Sequence, residues 1–292
     1  MKLHSIGTTK DPWAQALLAH MPRETNAKTI LIVGAQMQIF ATFFFWLARF
    51  RVLWLASHNE YNNQTKTLMR IMSRFAETIL APNQATEALY LKAGVPGKKL
   101  VLIYPSCKSK LGIRSPNSAF IIGCDGEIGI EHGLGIILRS VKNAQDILGT
   151  IKLIISGNVT EKNQIEWLSQ ELGISNRVQV APSKGQGWMA PCHLFLVIRQ
   201  RPSALPLSLA AALSHGLPIV ANDMLNHREF IQHNKNGILL KDINSDILSQ
   251  TIINLSRKPE WMDELGRESS RFAEERFSPE TTQEKIQAVF LH

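Results

Sequence analysis

Two arginines, Arg199 and Arg201, lie between an apolar run of strand length, Leu194 to Ile198, and a helix that opens at Pro206 and stops at Gly216. Proline is tolerated in the first turn of a helix, and glycine is favoured just past its end. Ile219 to Ala221 then resume a β-type apolar run. A strand, helix and strand within about thirty residues imply a parallel, right-handed crossover. That crossover aims the amino end of the helix, with its unsatisfied N–H groups, at the carboxyl edge of the sheet, where anionic ligands bind. The chemistry that follows is the holding of a nucleotide or phosphate by Arg199, Arg201 and the 206–208 backbone, Leu207 and Ser208 included.

Other residues carry chemistry with two readings each. His58 follows the β-like run Val52 to Ala56, where a side chain projects from the carboxyl edge. A histidine so placed can hydrogen-bond a ligand hydroxyl or stabilise charge; the other reading is that His58-Asn59-Glu60 is an ordinary polar loop. Glu229 reads by itself as an acidic residue answering a helix dipole. His132 beside Gly133 opens a helix toward phosphates, or caps a surface turn. The glycines of Gly123 to Gly129 lack the G-x-G-x-x-G spacing of a dinucleotide site. Cys107, Cys124 and Cys192 are scattered without C-x-x-C spacing, so neither a disulfide framework nor a zinc site is expected, and no metal is assigned.

Alternating strand and helix signals must position these groups. Strands are predicted at Thr29 to Val33, Val52 to Ala56, Thr78 to Ala81 and Leu100 to Tyr104. Helices are predicted at Lys66 to Phe75 and Gln84 to Ala93, the latter stopped by Gly94-Val95-Pro96-Gly97. The polar stretch from Cys107 to Asn117 reads as a linker, with the second domain beginning near Ala119. The expected division is 1–112, 113–278 and a terminal helix within 279–292.

The 292 residues suffice for two α/β domains with substantial cores. Residues 1–112 hold 14 Lys and Arg against 5 Asp and Glu, whereas the remainder holds 18 against 19. Such a surplus is a solvated basic surface, or an attraction to an anionic membrane or a phosphate-bearing acceptor. Nucleic acid is not expected, because no recognition motif accompanies the charge. Ile39 to Ala48 is the one membrane candidate, but it is too short to span before Arg49 and Arg51. Its apolar residues on nearly every face favour a core helix over an interfacial one. Met1 to Ser5 opens no long apolar core of a signal peptide, so the cytoplasm, with contact at the inner membrane face, is the expected compartment.

The stretch from Cys192 to Asn222 resembles the donor region of retaining GT-B glycosyltransferases of family 4, the group 1 glycosyl transferases. Ser214-His215-Gly216-Leu217-Pro218 matches the end of their pattern of two glutamates followed by Ala-x-Ala-x-Gly-x-Pro. The resemblance continues through Ala221-Asn222-Asp223, His227-Arg228-Glu229-Phe230-Ile231 and Asn236-Gly237-Ile238-Leu239-Leu240, and closes at Leu265-Gly266-Arg267 and Phe277-Ser278. Upstream it includes Ile154-Ile155-Ser156-Gly157 and Leu172 to Val178. It covers roughly residues 70 to 280.

The resemblance implies two Rossmann-like, doubly wound parallel-sheet domains facing a cleft, with a last helix that crosses back to the first. It implies transfer of a sugar from a nucleotide-sugar donor, with retention, onto a glycan or lipid-linked acceptor, without a bound cofactor. His58 matches a histidine near the transferred sugar, and Glu229 matches a family landmark. Four positions depart from the family. Its two glutamates fall on Ser203 and Ala211, and its diphosphate-binding arginine and lysine fall on Cys124 and His132. Met1 to Met21 also lacks the family's Gly-Gly turn. The departures favour a non-catalytic protein that binds acceptor or supports an active transferase as a partner subunit, whereas in a working enzyme Arg199, Arg201 and Lys184 would substitute for the lost cations, helped by a protonated His132.

Overall fold

The computed structural model describes residues 28–56, 63–107, 119–125, 133–156, 162–181, 187–199 and 207–291. The chain divides into two compact units, Met1–Tyr104 with Glu284–His292, and Pro105–Gln283.

In the first unit, β1 (Thr29–Val33), β2 (Arg51–Leu55), β3 (Thr78–Ala81) and β4 (Leu100–Leu102) form one sheet in that order, with every pair parallel. The crossovers are α1 (Ala35–Leu47), α2 (Asn63–Met72) and α3 (Gln84–Lys92). Asn83 caps α3 by accepting from the Thr86 amide at 2.7 Å. A buried polar chain ties helix to sheet. Gln38 donates to the Leu55 carbonyl at 2.7 Å and accepts from the Tyr90 hydroxyl at 3.1 Å. Trp54 donates to Thr42 at 2.8 Å. This chain fixes the carboxyl end of β2, just ahead of the segment holding His58.

The helix α1 departs from expectation. Ile39, Ala41 and Phe45 are buried, yet Phe40, Phe44 and Leu47 are 68%, 70% and 64% exposed. Apolar composition all round predicts burial all round, but the helix lies on one face of a small sheet, which covers only one side of it. Its end is a Schellman turn: the Arg49 amide donates to Trp46 and the Phe50 amide to Phe45, at 2.9 and 3.0 Å. The residue that must turn left-handed there is Arg49, at φ 63°, where glycine is the usual occupant. A side chain in this conformation costs about 1–2 kcal/mol.

In the second unit, six parallel strands run in the order β10-β9-β8-β5-β6-β7. They are β5 (Phe120–Asp125), β6 (Ile151–Ser156), β7 (Val178–Ala181), β8 (Leu194–Val197), β9 (Ile219–Asn222) and β10 (Gly237–Leu240), with α4 (Leu134–Leu148), α5 (Lys162–Glu171), α6 (Leu207–Ser214), α7 (Leu225–Arg228), α8 (Ser245–Ser256) and α9 (Pro259–Phe277). Helix α10 (Pro279–Leu291) follows. The predicted linker from Cys107 lies outside the described residues beyond Cys107 itself, whose amide donates to the Phe277 carbonyl. The chain winds outward from β5 to β7, returns to β8 beside β5, and winds the other way to β10. That reversal places a topological switch point between β5 and β8, outside whose carboxyl ends α/β sheets bind ligands. Among the described residues the first sheet, ordered as in the sequence, has none.

Candidate functional site

Strand alternation decides which side chains reach the switch point. Ile122 and Cys124 of β5 and Leu194 and Leu196 of β8 pack in one buried core cluster, with α4 and α8 residues such as Leu134, Ile137, Leu248 and Ile252. Successive strand residues face opposite sides, so Gly123, Asp125, Phe195, Val197 and, beyond the strand, Arg199 share the other face. The approach there is close: a Cβ on Gly123 would stand 3.1 Å from both Cys192 and Trp188.

At the carboxyl edge of that face a polar cluster forms. The Arg199 guanidinium lies 3.3 Å from the Asp125 carboxylate, with side chains 12% and 9% exposed. Ser208, in the first turn of α6, donates to the same carboxylate oxygen at 2.7 Å. Asn222, at the end of β9, clamps the Arg199 backbone from both sides, accepting from its amide at 3.0 Å and donating to its carbonyl at 2.6 Å. The Asn222 carbonyl is contacted at 2.7 Å by His227 Nδ1. A carbonyl only accepts, so Nδ1 carries the proton. His227 is fully buried, and its Nε2 has no hydrogen-bond partner among the described residues. Burial pushes its pKa below the ordinary imidazole value, Arg199 lowers it further, and the Asn222 carbonyl and Asp223 oppose the shift. The neutral ring therefore presents a bare acceptor.

Arg199 and Ser208, both named from the sequence, thus converge on one Asp125 carboxylate. Cys124 does not join them, since its thiol is in the core, where burial raises its pKa well above the ordinary thiol value. Ala211 is fully buried in α6. Leu207 begins that helix, and Glu229 is partly buried directly after α7. His58, His132, Lys184, Arg201 and Ser203 lie outside the described residues. Sequence reasoning missed Asp125, Asn222 and His227. Asp125 was open to discovery, because alternation from an apolar Cys124 turns the next residue to the opposite face. Among the described residues no group of three or more His, Cys, Asp or Glu side chains is placed to hold a metal, and no helix is long and apolar enough to cross a membrane.

Two parallel-sheet units, one with a polar cluster at its switch point, define a GT-B type α/β protein. The model of the family "Glycosyl transferases group 1" matches residues 112–272, more than half of the chain, and the chain belongs to that family. HepE of Anabaena, solved with UDP-glucose, superposes with a TM-score of 0.81 at 16% identity, covering 97% of this chain and 84% of HepE. A glycosyltransferase from Rickettsia africae ESF-5 gives a TM-score of 0.78 at 14% identity, covering 99% of this chain and 83% of that one. At these identities the likeness is one of fold. Among curated proteins, "Putative glycosyltransferase EpsD" of Bacillus subtilis (strain 168) is 23% identical over 195 residues. The match takes in 63% of this chain and about half, 48%, of that relative.

Proposed function

We propose that this chain is a family 4 type glycosyltransferase of glycan or glycolipid assembly, which receives a nucleotide sugar at the carboxyl edge of β5 and β8 and transfers the sugar with retention. The observation that carries the reading is the cluster of Arg199, Asp125, Ser208, Asn222 and His227 at the switch point. UDP and UDP-glucose complexes of HepE, of the same fold, support a nucleotide-sugar ligand. In this reading Arg199, Arg201, His132 and the Leu207–Ser208 turn face the diphosphate, while Ser203 and Ala211 occupy the ribose positions. Glu229 is assigned to the sugar and His58 to catalysis, with the acceptor held by the first unit at the inner membrane face.

A non-catalytic protein that binds acceptor or a partner transferase is the second reading, and two observations favour it. Ala211 offers no carboxylate to ribose hydroxyls, a loss of about 1.5–3 kcal/mol for a charged hydrogen bond. The Arg199 cation already faces Asp125, and the loss of one group that stabilises transition-state charge lowers rates by about 100–1000-fold. Calorimetric titration with UDP, GDP and their sugar conjugates tests the two. Micromolar binding of one nucleotide, weakened in Arg199→Ala, supports the transferase. Folded protein that binds none at millimolar concentration refutes it and favours the partner role.

A further inference from the structure

The first sheet leaves a backbone edge open at β1. Among the described residues no strand lies on the outer side of β1, which runs in unbroken register along β2. One hydrogen bond shows which groups are open: the Arg51 amide of β2 donates to the Lys28 carbonyl. In a strand the N–H and C=O of one residue point to one side and those of the next to the other, so Lys28, Ile30 and Ile32 face β2. Gln38 agrees, donating to the Ile32 and Leu55 carbonyls between the two strands. Thr29, Leu31 and Val33 therefore turn their amides and carbonyls to the open edge.

The side chains of the same three residues lie off the core. Ile32 is buried with helix residues such as Ile39 and Tyr90, so alternation puts Thr29, Leu31 and Val33 on the opposite face. There Leu31 and Val33 are 38% and 56% exposed. An all-parallel sheet is normally covered on both faces, and a natural edge strand carries a charge, a proline or a bulge that deters pairing. Thr29-Ile30-Leu31-Ile32-Val33 has none of these. Helix α1, which packs on β1 and β2, is uncovered beside the same edge. Phe43 and Trp46 turn toward Phe75, with ring centroids 5.3 and 4.9 Å from it, which leaves Phe44 on the flank nearer β1 and Phe40 one turn before it.

We propose that this edge pairs with a second copy of this chain, β1 antiparallel to the partner's β1 about a two-fold axis at Leu31. Symmetry and charge select that occupant. The outward set of Thr29, Leu31 and Val33 is symmetric about Leu31, so each copy satisfies the other. Leu31 exchanges both its hydrogen bonds with the partner's Leu31, and Thr29 exchanges its own with the partner's Val33. Lys28 falls opposite the partner's Gly34, and at ~3.4 Å per residue the two Lys28 residues stand about 20 Å apart, beyond the ~8 Å screening length. The axis is normal to the sheet and keeps both α1 helices on one face. With paired strands about 4.8 Å apart and α1 over β1 and β2, the two helix axes fall about 10 Å apart, the spacing of packed helices. Phe44 of each copy then lies between them. Such a pair closes on itself, whereas a head-to-tail edge contact would build a fibre. The inference goes beyond the proposed function and concerns the first unit, so nucleotide titration and self-association fail independently.

The test is sedimentation equilibrium of the full chain over a wide range of concentration. The wild-type chain is expected to show the mass of two chains. Leu31→Lys sets two lysines opposite each other at the axis and should weaken the dimer about ten- to a hundredfold, and Phe44→Ser about three- to tenfold. Both replace exposed side chains, so a loss with unchanged circular dichroism is a loss of pairing. Crosslinking reads the register. On oxidation Leu31→Cys should form an intermolecular disulfide, because its Cα lies about 5.5 Å from the partner's, within the ~4.4–6.8 Å that a disulfide spans. Val33→Cys should form none by itself, but should crosslink to Thr29→Cys when the two variants are mixed. The native Cys107, Cys124 and Cys192 are buried and stay silent. Folded wild-type chain that is monomeric throughout would overturn the proposal, leaving the edge to residues 1–27 or to a different protein. A dimer undiminished by Leu31→Lys and not crosslinked through Leu31→Cys would also overturn it, by placing the contact elsewhere.

Discussion

If the switch-point cluster faces a diphosphate, Asp125 opposes the ligand, and removing its charge must tighten nucleotide binding. Asp125→Asn preserves shape and leaves an oxygen to accept from Ser208, which now donates to the carboxylate at 2.7 Å. At 3.3 Å, the Asp125–Arg199 attraction is about 5 kcal/mol at an effective dielectric of 20, before desolvation. A phosphate brought to within about 5 Å of the same carboxylate meets a repulsion of about 3 kcal/mol per unit charge. With both side chains largely withdrawn from solvent (9% and 12% exposed), screening removes only part of it. The expected gain in UDP affinity is therefore about ten- to a hundredfold, since about 1.4 kcal/mol is tenfold. Calorimetry on wild-type and variant protein, with circular dichroism to verify folding, measures it. An unchanged or weaker affinity in folded Asp125→Asn would refute the reasoning, because the ligand then lies beyond the carboxylate's reach.

Three further outcomes follow from the same geometry. His227 has a folded pKa below its unfolded value, so the unfolded chain takes up the extra proton. Stability should be full above the unfolded pKa of about 6.5 and fall as pH drops through the window below it, and His227→Gln should flatten thermal melts between pH 7.5 and 5.5. Gln38→Leu removes the side-chain donor to the Leu55 carbonyl and the acceptor of the Tyr90 hydroxyl; urea denaturation should show a loss of about 1–3 kcal/mol in the first unit, and a loss under about 0.5 kcal/mol would contradict the network's role. Arg49→Gly relieves a left-handed side chain, and the first unit should melt about 2–6 °C higher, a lower melting temperature refuting the strain argument.

How much of this was legible in the sequence depended on the range of the interaction. The unit of β8, α6 and β9 was readable because proline, glycine and apolar runs act locally, and its observed bounds lie within a residue or two of expectation. Arg199 and Ser208 could be placed together, since one crossover carries both. Asp125 arrives from a strand 83 residues before Ser208 in the chain, and only the sheet order β8-β5 brings it in. His227 was illegible for a related reason, because the burial that empties its Nε2 of partners comes from packing and not from its neighbours in sequence. The exposed face of α1 failed differently. Composition reports how apolar a helix is, not whether enough protein surrounds it.

If the cluster is the donor site of the proposed function, it also explains how such a site can keep its scaffold with Ser, Ala, Cys and His at positions where the family carries charge. A buried guanidinium left without an anion is unstable, and so is a buried carboxylate without a cation. In this chain Asp125 faces both Arg199 and Ser208, and Asn222 anchors the arginine's backbone. Among the described residues the Arg199 Nε makes no hydrogen bond, so an anionic ligand at this edge would compete with an internal carboxylate for one face of the guanidinium while another stays open to it. An internal carboxylate that stabilises a cation also weakens that cation's hold on an anionic ligand, a trade commonly seen between stability and function. The Nε2 of His227 runs against that trade, for among the described residues it is a buried acceptor without a partner. Because the ring is fully buried, a ligand hydroxyl could fill it only after neighbouring side chains moved, so this acceptor weighs on the stability of the fold and not on the selection of a ligand.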